Sequence, residues 1–298
     1  MILDDTFKNY ATWVGKNLLN KPKALIIAAL LMSCCTVYGQ DTSRSGYTIF
    51  KPLPKSLMRE EMETDRPNVT ETPYTVEAGH FQYEADMFKY HREQSEETKQ
   101  HSWVINNVNL KLGLFKNTAL QLIVQSYGKE INREIASGEK ESSSGFGDMT
   151  LRLKQNIYGN YDGNFSIAIM PYVKFPTSKY TDNKLYEEGL MVPMLLKLPH
   201  DWKIGMQVEG DYLKDDDAPA RHTELLQSIT LSHVFFKKLE VFGESFYTYN
   251  FKEHQINNYL DAAVEYELTH DLKIDIGMNY GLQTTAHKDY FAGIAFRY

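Results

Sequence analysis

The stretch Asp148–Asn160, DMTLRLKQNIYGN, decides how the rest of the chain is read. Met149, Leu151, Leu153 and Ile157 are apolar, and Asp148, Thr150, Arg152, Lys154 and Asn156 lie between them. Side chains of a strand alternate between its two faces, so this is a strand with one greasy and one charged face. In a soluble sheet the greasy face would meet a core, and the charged face would meet water. The question is whether the remaining strands are arranged that way.

The same two-residue period recurs along the chain. HFQYEADMFKY places Phe81, Tyr83, Ala85 and Met87 on one side, with Gln82, Glu84 and Asp86 opposite. VNLKLGLF, LQLIVQSY, FSIAIMPYVKF, WKIGMQVEGDY, ELLQSITLSHVFF, LEVFGESFYTYNF, YLDAAVEYEL, LKIDIGMNYGL and DYFAGIAFRY follow. GLMVPMLLKL is apolar on both sides and is the least clear segment. We count about twelve segments with period two and none with a sustained helical period. Twenty Tyr and fifteen Phe favour sheet over helix.

The connections alternate in length. Lys116–Asn117, Gly159–Asn164, Pro199–Asp201, Lys237–Lys238 and Thr269–Asp271 are short. HREQSEETKQ, GKEINREIASGEKESSS, TSKYTDNKLYEE and KDDDAPARH are long and charged. An antiparallel meander with short turns at one end and long loops at the other is the pattern of an outer-membrane barrel. A secreted sandwich, also alternating, has no reason to sort its loops. A closed barrel pairs every backbone group without an edge strand, which a bilayer demands. Aromatics near strand ends (Phe165, Phe175, Trp202, Tyr212, Phe235, Tyr249, Phe251, Tyr290, Phe296 and Tyr298) suit interfacial girdles.

The amino terminus reads as an export signal: Lys21 and Lys23, the apolar run Ala24–Met32, then SCCTVYGQD. That run is too short to span a bilayer as a helix, which needs about 20 apolar residues. Cleavage after Gly39 gives a leader over 1–39, a lead-in over 40–78 and a barrel over 79–298. Lipid attachment at Cys34 is the rival processing route, with Met32 an awkward neighbour for it. The start codon could also lie downstream of Met1. Cys34 and Cys35 are the only cysteines, so a cleaved chain has no disulfide, thiolate metal site or cysteine nucleophile. The chain carries −7 at pH 7 and the leader +2, which leaves about −9 after cleavage. An exported acidic protein does not suit nucleic-acid binding.

Enzymatic readings find little support. Ser232 and His233 are neighbours on a strand and point to opposite faces. Gly-x-Ser-x-Gly, His-x-x-x-His and glycine-rich phosphate loops do not occur. The acidic run Asp215–Asp217 lacks EF-hand spacing. No catalytic residue, cofactor or metal site is assigned. The residues on the polar faces are lumen candidates: Glu84, Asp86, Asp148, Arg152, Lys154, Lys203, Glu209, Asp211, Glu265 and Asp275. They either plug a narrow barrel with salt bridges or set a transverse field that selects polar or amphipathic solutes. About twelve strands enclose a lumen between the side-chain-filled small barrels and the open porins.

One segment is distinctive. TDRPNVTETPYTVEAGHFQYE, Thr64–Glu84, carries Thr64, Asp65, Arg66, Pro67, Pro73, Gly79, His80, Phe81 and Glu84 in a pattern that resembles the meta-pathway of phenol degradation (MetA-pathway) family. The resemblance implies a transporter-like outer-membrane β-barrel, exported to the Gram-negative outer membrane and passing small, aromatic or amphipathic, molecules. The final FAGIAFRY, ending in Tyr298, is similar to the last strand by which the barrel-assembly machinery recognises its clients. The lipid bilayer, that machinery and a small solute are the expected partners. Arg66 is placed to reach lumen carboxylates such as Glu265 or Asp275; alternatively the lead-in only caps the barrel floor. The second functional reading is a closed structural or adhesive barrel without transport.

Overall fold

The computed structural model describes residues 44–298, apart from 96, 181–183, 216–218 and 285. The expected signal peptide, with Cys34 and Cys35, lies outside the described residues. Thirteen strands form one antiparallel sheet: β1 (Phe81–Gln94), β2 (Thr98–Phe115), β3 (Thr118–Glu134), β4 (Lys140–Gly145), β5 (Met149–Tyr158), β6 (Phe165–Phe175), β7 (Glu187–Lys197), β8 (Trp202–Lys214), β9 (Arg221–Phe235), β10 (Leu239–Asn250), β11 (Gln255–Thr269), β12 (Leu272–Gly281) and β13 (Lys288–Arg297). Every strand but β4 and β5 pairs with its sequence neighbours, and β1 pairs with β13, so the sheet closes on itself. The short β4 and the longer β5 share β3 as a partner, β4 along Gly128–Arg133 and β5 along Thr118–Val124. They form one interrupted stave, so the thirteen strands make a barrel of twelve.

The barrel is inside out relative to a soluble protein. Leu110, Leu151, Leu190, Ile229, Leu260 and Ile276 are all at least 40% exposed on its outer wall. Glu84, Lys111, Lys154, Glu244, Glu265 and Asp275 are all less than 8% exposed on its inner wall. A water-soluble monomer does not expose an apolar belt around its whole circumference, so the outer wall calls for lipid. Aromatic groups mark the two rims. Phe81, Tyr83, Phe296 and Tyr298 pack at the short-turn end, and Tyr90, Trp103 and Tyr290 at the other. His233 is an outer-wall residue held between Trp202 and Phe235, with ring centroids 4.6 and 4.5 Å away. Its neighbour Ser232 points inward and donates to Glu240 Oε1 at 2.6 Å.

The short turns use left-handed backbone. His200 and Asp201 have φ of 62° and 59°, and Phe236 and Lys237 have 52° and 62°. Consecutive positive φ values match the twist of the flanking strands. At the opposite end, two segments read from the sequence as long loops are extended hairpins. β1 runs to Gln94 and β2 starts at Thr98, while β3 runs to Glu134 and β4 starts at Lys140. Strands of 18 and 17 residues in β2 and β3 exceed the roughly 9–11 that cross a bilayer. Their outer ends stand in water, where polar side chains permit pairing but erase the apolar alternation that marks a strand.

Residues 40–63 read from the sequence as a loose linker. Among the described residues the segment is instead anchored at two points, with Leu53 2% and Met62 0% exposed, while 54–56, 60 and 61 are exposed. Leu53 N–H donates to Ala78 O at 2.9 Å, and Met62 N–H donates to His270 O at 3.0 Å. Prolines kept this segment out of a ladder without keeping it out of the barrel.

Replacing Ile229, 53% exposed on the outer wall, by Arg should destabilise the lipid-folded barrel by about 2–4 kcal/mol. Ile229→Leu should leave it unchanged. Denaturant titration in vesicles, read by the mobility difference between unboiled and boiled samples, measures both. An Arg variant within about 0.5 kcal/mol of the wild type would mean that this wall faces water.

Candidate functional site

The inner wall has two electrical sides. Lys111 on β2, and Arg152 and Lys154 on β5, make one side basic. Glu244, Glu265 and Asp275 on β10 to β12 make the other acidic. The segment before β1 passes between them. Asp65 and Arg66 are consecutive, and their side chains serve opposite sides. Asp65 takes Lys111 Nζ on Oδ2 and Lys154 Nζ on Oδ1, each at 2.5 Å. Arg66 makes a two-pronged contact with Asp275, Nε to Oδ2 at 2.9 Å and Nη2 to Oδ1 at 2.6 Å. Its Nη1 donates to Asp86 at 2.5 Å. Gly293 makes room for this, because a Cβ there would overlap the guanidinium.

The remaining contacts complete the fit. Thr72 donates N–H and Oγ1–H to Asp65 Oδ1 at 3.0 and 2.8 Å, closing residues 65–72 into a turn. Glu84 bonds Lys111 Nζ and accepts the N–H groups of Asp65 and Arg66 at 3.1–3.2 Å. Glu244 accepts the N–H groups of Val69 and Thr70 at 2.8 Å. Arg152 donates to Glu71 at 2.5 Å. Thr64 donates to Glu265 at 2.8 Å, and Lys273 pairs with the same carboxylate at 2.8 Å. Asn156 donates to Pro73 O at 2.9 Å, and Asn160 joins Thr75. Around Asp65 the cations Lys111, Lys154 and Arg152 balance the carboxylates of Asp65, Glu71 and Glu84. The charges of this buried network balance, although Glu71 Oε2 and Arg152 Nε have no hydrogen-bond partner among the described residues, and removing one member upsets that balance.

The other candidates are distributed along the lumen. Lys203 pairs with Glu240 at 3.0 Å near the short turns. Glu209 accepts from Gln207 at 2.8 Å, and Asp211 from Tyr172 at 2.6 Å. Asp148 lies toward the other rim, 3.8 Å from Lys174 and 3.5 Å from Lys214. His80 and Phe81 are not lumen residues. His80 Nε2 contacts Leu53 O at 2.7 Å, and Phe81 packs outside on Phe296 and Tyr298. Asp215 pairs with His222 and Lys252, each at 2.7 Å. The sequence reading did not single out Glu71, Gln121, Asn156 or Asn160. Glu71 sat in a lead-in with no periodicity, and the amides carry no charge to draw attention.

The turn 65–72 separates two spaces. One, of about 380 Å³, lies toward the long hairpins and is lined by Asp86, Lys89, Arg152 and Glu209 with Ile123, Met191, Leu226 and Phe291. The other, of about 40 Å³, lies toward the short turns beside Lys203, Glu240, Glu265 and Lys273. Asp65, Arg66, Asn68 and Glu71 border both. The first matches the size of a small organic molecule, and the second holds little more than water.

The family model described as "Putative MetA-pathway of phenol degradation" matches residues 64–298. The chain belongs to this family. The match begins at Thr64, so the family's unit is the barrel together with the turn that fills it. No curated protein matches the sequence. Among solved structures, the transport unit of the autotransporter AIDA-I from Escherichia coli is similar at 9% identity and TM-score 0.50, over 80% of this chain and 92% of that one. A NanC porin has 9% identity and TM-score 0.47, over 72% and 98%. The translocator domain of the autotransporter NalP from Neisseria meningitidis has 10% identity and TM-score 0.47, over 74% and 88%. At such identity the likeness to the AIDA-I transport unit speaks for the fold alone, an outer-membrane β-barrel.

Asp65→Asn should strand Lys154, leave Lys111 with Glu84 alone, and weaken docking of the 59–78 segment by about 3–5 kcal/mol. The expected readout is faster proteolysis of that segment in the folded, still heat-modifiable barrel. Cleavage at the wild-type rate would show that the pairing does not hold the segment.

Proposed function

We propose that this family member is a gated outer-membrane passage for small molecules that combine charge with an apolar or aromatic body. Its vestibule is the space of about 380 Å³, and its gate is the turn 65–72. The observation that carries the reading is the position of that turn. It closes a mixed charged and apolar cavity on one side and leaves about 40 Å³ on the other. Lumenal charges of both signs suit an amphipathic solute, while Ile123, Met191, Leu226 and Phe291 offer it an apolar wall. Passage then requires the turn to move and not the barrel. Export by the amino-terminal signal, insertion into a Gram-negative outer membrane and recognition of the Tyr298 strand by the assembly machinery belong to the same reading.

The second reading is a sealed barrel with a structural or adhesive role. The charge balance of the Asp65 network favours it, and so do the hairpins that β1–β2 and β3–β4 raise beyond the bilayer.

A reversible lock separates the two. Thr70 Oγ1 and Ser228 Oγ lie 2.6 Å apart across the turn and the wall. Thr70→Cys with Ser228→Cys, in a chain carrying Cys34→Ser and Cys35→Ser, should form a disulfide that pins the turn. Oxidation should abolish single-channel steps and benzoate uptake into vesicles, and dithiothreitol should restore both. Equal flux in both states would put the route elsewhere. Absence of flux in the wild type, the reduced lock and Asp65→Asn alike would establish the sealed barrel.

A further inference from the structure

The seam where the barrel closes carries a cluster that neither the gate nor the vestibule uses. His91 on β1 and Asp289 on β13 are direct register partners, and His91 Nδ1 lies 2.6 Å from Asp289 Oδ1. His287, two residues before Asp289, brings its ring to 5.0 Å from that of His91, centroid to centroid. Its Nε2 is 3.9 Å from Asp289 Oδ2. One donor atom from each of the three lies within 4.8 Å of the others. A metal ion at ordinary bond lengths holds its donors roughly 3–3.5 Å apart, so small side-chain rotations suffice.

From this geometry we infer that His91, His287 and Asp289 form a binding site for a divalent first-row transition ion, with zinc the natural probe. Two imidazoles and one carboxylate are the donors such ions take, whereas magnesium and calcium prefer oxygen. The carboxylate is already oriented. Lys89 Nζ holds Asp289 Oδ2 at 2.7 Å, which leaves Oδ1 for the ion. Lys89 is also the cation nearest the site, and it tempers the affinity without blocking a ligand. On binding, the ion takes the place of the proton shared between His91 Nδ1 and Asp289 Oδ1, and that proton leaves to water. The hydroxyl of Tyr259, 3.2 Å from His287 Nδ1, orients the second ring through its other nitrogen. Access is from the vestibule. The side chains of His91 and His287 are 22% and 31% exposed, and Lys89 and Asn279, the register partner of Asp289, line that cavity. An ion held here would cross-link the first and last strands, and this consequence does not depend on whether the barrel transports anything.

The test uses the full chain without a polyhistidine tag, refolded in detergent and titrated with zinc against a chromophoric chelator, with magnesium as control. The expected result is one zinc per chain and no magnesium. His287→Ala and His91→Ala should each weaken binding by about tenfold or more. His222→Ala, in the loop pair with Asp215, should change nothing. Zinc should also raise the temperature at which the unboiled form converts to the boiled one, but not in His287→Ala. His287→Gln serves as the second variant if alanine spoils folding. Lack of saturable binding, or equal affinity in the folded His287 variants, would overturn the site.

Discussion

Two adjacent residues, Asp65 and Arg66, answer two opposite walls, and the interior of this barrel depends on them. A twelve-stranded barrel encloses more space than its own side chains fill. Its strands must turn polar groups inward, because the outer face belongs to lipid. The inner wall therefore has charges in excess of what cross-strand neighbours can pair. Lys111 and Lys154 face one carboxylate that no strand supplies, and Asp275 and Asp86 face one guanidinium that no strand supplies. The chain bends at Asp65, and the turn holds Asp65 on Lys111 and Lys154 while Arg66 reaches Asp86 and Asp275. The pair thus meets the basic side with one residue and the acidic side with the next. Reversing the two would set like against like.

The backbone of the same segment faces the same constraint. Inside the lumen its N–H groups need acceptors, and no ladder is available to a stretch carrying Pro67 and Pro73. Wall carboxylates take that role: Glu84 receives Asp65 and Arg66, and Glu244 receives Val69 and Thr70. The inner wall is therefore acidic where it meets the segment's backbone and basic where it meets the segment's carboxylates. This division explains why an acidic chain turns Lys111, Arg152 and Lys154 inward on β2 and β5.

The barrel was legible because it is written in periodicity. Met149, Leu151 and Leu153 against Thr150, Arg152 and Lys154 give the outer and inner faces of β5 directly, and the alternation of turn lengths gives the closure. The exceptions have local causes. β7 is apolar on both faces because Met191 and Leu195 point inward to apolar patches of the lumen. The hairpin ends beyond Gln94 and Glu134 lost the alternation because they stand in water. The interior was harder to read because its contacts join distant residues. Arg66 meets Asp275 across 209 positions and Thr64 meets Glu265 across 201. The charge of Arg66 and the inward parity of Asp275 suggested that pair, but nothing local announced Glu244 as a backbone acceptor. The His91–His287–Asp289 cluster was invisible for the same reason, since only barrel closure brings β1 beside β13.

The network also bears on how a gate of this design can open. Withdrawing the whole 59–78 segment would strand Lys154 and Glu244 and leave Lys111 and Glu84 only each other, and each unpaired buried charge costs several kcal/mol. A smaller motion leaves Asp65 in place and swings only residues 66–71, exchanging the contacts of Arg66 and Glu71. Those two are bound at the edge of the larger cavity, where Asp86 and Arg152 are part of the lining. A solute with a carboxylate could replace Glu71 on Arg152 while its apolar body rests on Met191, Leu226 and Phe291. The exchange would substitute one ion pair for another on Arg152, and a cationic group on the solute would have to take the place of Arg66 on Asp86 and Asp275. For the proposed passage, selectivity and gating would be one process: the solute that opens the turn would be the one whose charges match those the turn gives up.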